Sequence, residues 1–235
     1  MHLLARLAED PSSAALFLDI DGVLAPIVAR PQDARVPEDT RAELRRLDER
    51  YGLVACVSGR AGDDAERIVG VPGLVYVGNH GLELEPDAPL WAARLAPFLA
   101  GLDWPGIEDK GLTAALHYRN RPDEEAARAE LEAIAARARE AGFVARFGRK
   151  VLEILPPLEA DKGTAVRRLL AGSGVQRALY AGDDTTDLDA FRALDGLELA
   201  VRVAVVSPEG PPALHESADL AVEGPAELLA VLRRL

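Results

Sequence analysis

Residues 14–22 read Ala-Ala-Leu-Phe-Leu-Asp-Ile-Asp-Gly, a short apolar run that ends in two aspartates, Asp19 and Asp21. Pro11-Ser12-Ser13 precedes the run, and Gly22 closes it. A short apolar segment between turn residues is typical of a β-strand that is buried on both faces. Ligands of open α/β sheets bind beyond the carboxyl ends of the strands. The two aspartates therefore stand where a functional site is expected.

The alternation of apolar strand and helix continues on both sides of this run. A helix that opens at Pro37-Glu38-Asp39 and stops at Gly52 leads to a second buried strand over 53–58. Towards the C-terminus we expect a helix from Asp161, a strand over 178–181, a helix near 187–194, a strand over 197–203 and a last helix from Pro225. Alternating βα units with continuous apolar strands predict an α/β fold, a Rossmann-like doubly wound parallel sheet.

The middle of the chain follows a different pattern. Half-polar strands over 113–118 and 151–155 flank a long helix over 122–141. Strands that are apolar on one side only predict a small α+β domain with one open sheet face. We therefore expect a domain over 81–157 that is inserted into a core domain made of 1–80 and 158–235.

The composition and net charge limit the kinds of partner that the chain is expected to bind. The 235 residues include 27 Lys and Arg against 39 Asp and Glu, a net charge of −12, and nucleic acid is not expected to bind because phosphate backbones need clustered basic residues. Glu9, Asp10 and Pro11 interrupt the first residues, so neither a signal peptide nor a membrane span is expected. The single cysteine, Cys56, has no internal disulfide partner. We expect a cytoplasmic monomer that binds a small molecule.

Three further motifs lie at predicted strand ends or helix starts. Ser58-Gly59-Arg60 combines a hydroxyl with glycine-freed backbone N–H groups, which can hold a phosphate oxygen. Lys162, in Asp161-Lys162-Gly163-Thr164, opens a helix where the dipole disfavours a cation, so it is either paired with an anion or solvated. Gly182-Asp183-Asp184-Thr185-Thr186-Asp187 carries three mutually repelling acids, which either bind Mg²⁺ or cap the next helix.

Two other chemistries do not fit the spacing. A calcium loop is not expected at Asp19, because Val23 and Leu24 stand where its third ligand and its glycine belong. A cysteine phosphatase loop needs C-x5-R, whereas Cys56 and Arg60 form C-x3-R. Cys56 is therefore interpreted as a core residue.

The ordered motifs DxDGVL at 19–24, SGR at 58–60, DKG at 161–163 and GDDTTD at 182–187 resemble the four motifs of the haloacid dehalogenase-like phosphohydrolases. Further segments resemble one branch of that superfamily, the trehalose-6-phosphate phosphatases: GNHG at 78–81, EDKGL at 108–112, HYRN at 117–120, GRKVLEI at 148–154 and DLDAF at 187–191. The resemblance implies a haloacid dehalogenase-like core, an inserted cap that closes over the sugar, and hydrolysis of trehalose 6-phosphate. Val23, Leu155 and Leu188 depart from the residues common in the branch, and none of them is a presumed catalytic group.

The resemblance also implies a role for each motif residue. Asp19 is the nucleophile, Asp21 the general acid and base, and Lys162 the third catalytic group. Ser58, Gly59 and Lys162 bind the phosphate. The implied cofactor, Mg²⁺, is held by Asp19, the backbone carbonyl of Asp21, and Asp183, with Asp184 and Asp187 behind these ligands. The implied sugar contacts are Arg60, Glu108, Lys110, His117, Arg119, Asn120, Lys150 and Glu153.

Two alternatives stay open on the sequence. The same chemistry can act on another sugar phosphate, such as sucrose phosphate, mannosylphosphoglycerate or glucosylglycerol phosphate. A catalytically weak sensor of sugar phosphates would keep the pocket without turnover. Because the charged residues of the inserted domain decide between the sugars, phosphate release from a panel of substrates separates these readings.

Overall fold

A computed structural model describes residues 2–119, 121–208 and 210–235. Its contacts divide the chain into two compact units. The larger unit comprises Met1–Gly81 and Ala160–Leu235, and the smaller unit comprises Leu82–Glu159. Each unit has a sheet and a hydrophobic core of its own.

The strands, in chain order, are β1 Ala14–Leu18, β2 Leu53–Val57, β3 Val75–Val77, β4 Ile107–Asp109, β5 Ala114–His117, β6 Val144–Gly148, β7 Val151–Leu155, β8 Arg177–Gly182, β9 Leu199–Val206 and β10 Leu220–Glu223. The α-helices are α1 His2–Ala8, α2 Glu38–Asp48, α3 Gly62–Val69, α4 Ala88–Ala100, α5 Glu124–Glu140, α6 Lys162–Ser173, α7 Asp187–Ala193, α8 Pro212–Glu216 and α9 Gly224–Leu232. Short 3₁₀ segments cover Pro11–Ser13, Pro31–Asp33 and Asn79–Leu84.

The sheet of the larger unit is parallel, with strand order β10-β9-β8-β1-β2-β3 in the described residues. The strand β1 lies between β8 and β2, and all five of its residues are buried, as the uninterrupted apolar run predicts. Leu16 and Leu179 lie on one face of the sheet and belong to a core cluster that includes Leu44 of α2. Phe17 and Tyr180 lie on the other face and are also fully buried, so both faces of the sheet are covered. The predicted doubly wound α/β architecture is confirmed.

The smaller unit contains an antiparallel sheet with strand order β4-β5-β7-β6 in the described residues. Leu152 and Ile154 of β7 are buried with Leu99 of α4 and Leu131 of α5, whereas the alternate residues of β7 are partly exposed. The sheet thus has one face covered by helices and one open face. The predicted α+β character of this segment is confirmed.

Caps set the helix boundaries more sharply than the apolar pattern does. The side chain of Asp123 accepts hydrogen bonds from the N–H groups of Glu125 and Ala126, so α5 begins at Glu124 and not at the predicted Pro122. Asp161 caps α6 in the same way, and its partner Thr164 completes a capping box. In the described parts of the chain, no helix combines the length and apolar character that crossing a bilayer requires.

Candidate active site

Three polar residues lie at the carboxyl ends of neighbouring strands of the parallel sheet. Asp19 follows β1, Ser58 follows β2 and Asp183 follows β8. The register places Leu18 beside Cys56 on one side and Ala181 on the other, and the backbone N–H of Asp19 donates to the carbonyl of Ala181 at 3.0 Å. The three strand ends therefore converge where the sequence analysis expects a ligand site.

Lys162 is a buried cation beside these strand ends. Its ammonium lies 2.9 Å from Oδ2 of Asp19 and 2.7 Å from Oδ1 of Asp187, and the residue is 2 % exposed. The capping box at Asp161 orients the first turn of α6, which carries this side chain inward. Of the two readings open on the sequence, a solvated lysine is excluded, and Lys162 is paired with anions.

Asp187 organises the loop that carries the acidic motif. The residue is fully buried, and its Oδ1 accepts hydrogen bonds from Lys162 and from the hydroxyl of Tyr180, both at 2.7 Å. Its Oδ2 accepts from the backbone N–H groups of Asp183 at 2.9 Å and Asp184 at 3.0 Å. Asp187 thus holds the loop and the lysine together, whereas Asp184 is exposed and accepts from the N–H of Thr185.

Carboxylate oxygens of Asp19, Asp183 and Asp187 lie within 4.8 Å of one another. Since the oxygens of Asp187 already accept four hydrogen bonds, Asp19 and Asp183 are the carboxylates left for a cation. When all three carboxylates are ionised, the one ammonium of Lys162 leaves two of their negative charges uncompensated. The all-oxygen donor set and this surplus charge fit a hard divalent cation, and the cluster indicates a metal site.

The crowded charges perturb the protonation of the site. Burial raises the pKa of Asp19 to about 7, with a further increase from Asp187 and an opposing effect of Lys162. Burial, followed by the charge of Asp19, raises the pKa of Asp183 to about 8. For Lys162, burial alone would lower the pKa, but attraction to Asp19 and Asp187 outweighs it and the pKa rises. The ammonium therefore stays charged, whereas Asp19 and Asp183 bind a proton more readily than an ordinary aspartate does.

Gly22 permits the close approach of the motif at 19–24 to the motif at 182–187. A Cβ atom at this position would lie 2.0 Å from Oδ2 of Asp183, and the backbone has φ +78°. Glycine is thus required here for two reasons, the left-handed conformation and the space that the carboxylate of Asp183 occupies.

Asp21 lies beside Arg60 and outside the group of three carboxylates. The guanidinium donates from Nε to Oδ2 at 2.6 Å and from Nη2 to Oδ1 at 2.7 Å, a bidentate ion pair. Nη1 of Arg60 donates to Asp64 at 2.9 Å, and Nη2 also reaches the carbonyl of Pro31 at 3.1 Å. The roles implied for Asp21, in proton transfer and through its carbonyl in metal binding, stay predictions, as does the sugar contact of Arg60.

The Ser58-Gly59-Arg60 segment is tied to the end of β3. Ser58 is 1 % exposed, its N–H donates to the carbonyl of Val77 at 2.9 Å, and its carbonyl accepts from the N–H of His80 at 2.9 Å. His80 lies in a left-handed turn, φ 54°, with its ring so close to Gly59 that a Cβ there would lie 2.5 Å from Nε2. This turn keeps the predicted phosphate-binding segment in one conformation.

The smaller unit brings several of the predicted sugar-binding residues into ion pairs on its open face. The register aligns Glu108, Ala115, Glu153 and Arg146 in one row across the four strands. His117 lies 3.0 Å and Lys110 3.7 Å from Glu108, and Glu153 accepts from Arg146 at 2.8 Å. Lys150 pairs with Glu124 at 2.6 Å, Arg119 is exposed, and Asn120 lies outside the described residues.

Three residues near these sites were missed by the sequence analysis. Tyr180 reads as one more apolar residue of a buried strand, yet its hydroxyl donates to Asp187. Arg146 alternates with apolar neighbours in β6, a signal that would have placed it on the polar face of the sheet, while its position opposite Glu153 follows from the strand register. Asp64, in the first turn of α3, reads as an ordinary helix-start acid. Cys56 is confirmed as a core residue, and burial raises the pKa of its thiol.

Comparison with known protein families gives a match that covers most of the chain. The family model described as trehalose-phosphatase matches residues 17–104 and 98–226. A probable trehalose-phosphate phosphatase of Sinorhizobium fredii is 34% identical over 225 residues, which cover 89% of this chain and 82% of the relative. The trehalose-phosphate phosphatase of Mycobacterium avium is 38% identical over 207 residues. These cover 77% of this chain and 51% of that relative, so the chain spans about half the length of the mycobacterial protein.

Solved structures share the fold. A trehalose-6-phosphate phosphatase related protein superimposes with a TM-score of 0.68 at 24% identity, covering 93% of this chain and 95% of the other. The C-terminal domain of a trehalose-6-phosphate phosphatase of C. albicans gives a TM-score of 0.66 at 21% identity, covering 98% and 94%. At these identities the likeness concerns the fold alone.

Proposed function

The chain belongs to the trehalose-phosphatase family, and on that premise we propose that it hydrolyses trehalose 6-phosphate to trehalose and inorganic phosphate. The observation that carries the proposal is the buried group at the sheet edge, where Asp19 lies 2.9 Å from the ammonium of Lys162 and within the carboxylate cluster of Asp183. A carboxylate at this position, flanked by compensating positive charge, is equipped to act as a nucleophile towards a phosphate.

We assign Mg²⁺ as the cofactor, held by Asp19, Asp183 and the backbone carbonyl of Asp21. The surplus of two negative charges in the cluster supports a divalent cation, and oxygen donors are those that magnesium prefers. When bound, the ion supplies positive charge that lets an anionic phosphate approach an anionic nucleophile. The bond-forming and proton-transfer steps are assigned to residues of this chain.

In the first step, a carboxylate oxygen of Asp19 forms a bond to phosphorus while the bond from phosphorus to the sugar oxygen breaks. Asp21 donates its proton to that oxygen, so trehalose leaves as a neutral alcohol and the phosphoryl group stays on Asp19. A sugar alkoxide is a strongly basic leaving group, so an acid at this position contributes a large part of the rate. The same family resemblance that implies Asp19 as the nucleophile implies Asp21 as this acid.

In the second step, water forms a new bond to phosphorus as the bond to Asp19 breaks. Asp21, now a carboxylate, takes a proton from the water, and inorganic phosphate leaves with Asp19 restored. The ammonium of Lys162, the hydroxyl of Ser58 and the backbone at Gly59 are the donors that we assign to the equatorial phosphoryl oxygens. Phosphoryl transfer depends mainly on such positioning and charge stabilisation.

We assign recognition of the sugar to the open face of the smaller unit. His117, Glu108, Glu153 and Arg146 present charged hydrogen-bonding groups there, in a row that the strand register aligns. Exposed charged pairs of this kind add little to stability, so they are free to exchange partners for sugar hydroxyls. We assign sugar contacts to Lys110 and Lys150 as well.

The test is phosphate release from trehalose 6-phosphate, sucrose 6-phosphate, glucose 6-phosphate and mannosyl-3-phosphoglycerate, with Mg²⁺ and with EDTA. We expect metal-dependent release with strong preference for trehalose 6-phosphate. The Asp19→Asn variant, purified identically, measures contaminating phosphatase and should release nothing. Slow and equal release from all four esters would overturn the substrate assignment but keep the phosphatase. Tight binding without release in any of them would point to a sensor.

A further inference from the structure

The side chains around Asp21 form a chain of ion pairs that the proposed mechanism does not yet use. Arg60 binds both oxygens of Asp21, at 2.6 and 2.7 Å, and Asp64 binds the far end of the same guanidinium at 2.9 Å. All three side chains are only partly exposed, with 14 % of Arg60 and 35 % of each carboxylate accessible. Shielding of this degree strengthens such pairs relative to fully exposed ones.

A backbone turn and two side-chain hydrogen bonds together restrict the orientation of the Asp21 carboxylate. Its backbone lies in a tight turn, in which the N–H of Gly22 donates to the carbonyl of Ala25 at 2.8 Å and that of Leu24 to Ile20 at 2.9 Å. The planar guanidinium adds two parallel hydrogen bonds to the carboxylate, which leave it one orientation. Each carboxylate oxygen keeps a further lone pair, so Asp21 is still able to bind a proton or a ligand while it is held.

Arg60 is itself held from two directions. Its backbone N–H donates to Oγ of Ser58 at 3.2 Å, and its carbonyl accepts from the N–H of Asn79 at 2.6 Å. Asp64 lies four residues further on, in the first turn of α3, and therefore faces the guanidinium. The orientation of Asp21 is thus coupled to the phosphate-binding segment and to the start of α3.

We propose that Arg60 is a positioning residue that orients the carboxyl group of Asp21 for proton transfer, and that Asp64 in turn positions Arg60. This inference rests on the proposed phosphatase function, and it replaces the sugar contact that the family resemblance implies for Arg60. Four of the five N–H groups of this guanidinium are already engaged, two by Asp21 and one each by Asp64 and the carbonyl of Pro31. Loss of a positioning residue should slow the reaction most for esters whose leaving group needs protonation, whereas loss of a sugar contact should not depend on the leaving group.

The test compares two aryl esters that differ in leaving group and contain no sugar. Hydrolysis of p-nitrophenyl phosphate needs little protonation of its leaving group, whereas phenyl phosphate needs more. For Arg60→Gln we expect kcat/KM, which covers the steps up to phosphoryl transfer to Asp19, to fall about 10- to 100-fold on phenyl phosphate and less than about threefold on p-nitrophenyl phosphate, since misplacing a general acid removes only its own contribution. Asp64→Asn should shift the ratio in the same direction and add little in the double variant.

Matched controls keep the result specific. Asp63→Asn changes the exposed acid next to Asp64, and Arg67→Gln removes the other partner of Asp64, so both should leave the ratio of the two esters unchanged. An equal loss of kcat/KM on both esters would overturn the proposal in favour of a structural or phosphate-binding role. Failure on trehalose 6-phosphate with intact aryl ester hydrolysis would overturn only the substrate assignment.

Discussion

Replacing Lys162 with methionine tests the central electrostatic feature of the site. The substitution removes the ammonium but keeps most of the side-chain volume. In the folded chain that ammonium lies 2.9 Å from Asp19 and 2.7 Å from Asp187, and it is 2 % exposed. Without it, the cluster of carboxylates loses its one compensating charge among the described residues.

The size of the effect follows from this burial. Removing one partner of a buried ion pair costs about 3–5 kcal/mol, because the remaining charge is left unpaired. For a chain of this length, each kcal/mol corresponds to about 2–4 °C in Tm, so Lys162→Met should lower Tm by about 6–20 °C. Mg²⁺ should recover part of this loss, because a bound cation replaces the missing positive charge.

The assay is thermal unfolding in EDTA and in excess Mg²⁺, with Lys150→Met as the matched control. Lys150 makes an ion pair of similar length, 2.6 Å to Glu124, but the two side chains are 42 and 44 % exposed. Exposed pairs contribute about 0–1 kcal/mol, so the control should shift Tm by less than about 4 °C. If the two variants lost the same small amount in EDTA, Lys162 would not be compensating buried carboxylates, and the charge argument for the metal site would fail.

Three further outcomes are expected. In the folded chain the pKa is about 7 for Asp19 and about 8 for Asp183, whereas the ordinary value is 3.8, so ionisation of either carboxyl group disfavours the folded state. Metal-free stability should therefore fall as the pH rises from about 4 to about 8. Because Mg²⁺ needs ionised ligands, the Tm increase that it causes should be larger at pH 8 than at pH 6, and an equal increase would contradict the ligand assignment. Gly22→Ala should abolish activity and lower Tm, whereas Gly111→Ala, with nearly the same φ of +77° but nothing within 4 Å, reports backbone strain alone; equal Tm losses would show that contact with Asp183 is unimportant. Glu153→Ala should raise KM for trehalose 6-phosphate and leave p-nitrophenyl phosphate unchanged, while Glu132→Ala on the helical side alters neither; a parallel change in both KM values would refute the sugar assignment.

The parts of the fold that could be predicted are those with a strong local pattern. The five buried residues of β1 are apolar without interruption, and the half-polar alternation of β7 matches its open face. The three-residue strands β3 and β4 are too short for any periodicity, and their existence depends on neighbours to pair with. The strand predicted over 197–203 is Leu199–Val206, because pairing with β8 begins at Leu199 and pairing with β10 extends to Val206.

The amino-acid sequence by itself determined which chemistry is available: strand-end aspartates at 19 and 183, a lysine at a helix start, and four motifs in the order of one superfamily. Their positions follow from local rules, since strand ends and helix starts are set by neighbouring residues. Only the tertiary structure decided how these groups are paired. Lys162 meets Asp19 across 143 positions because packing brings the start of α6 to the carboxyl end of β1, and Tyr180 of β8 meets Asp187 because the loop before α7 turns back towards that strand. Burial and distance, which create the charge imbalance of the site, exist only after that packing.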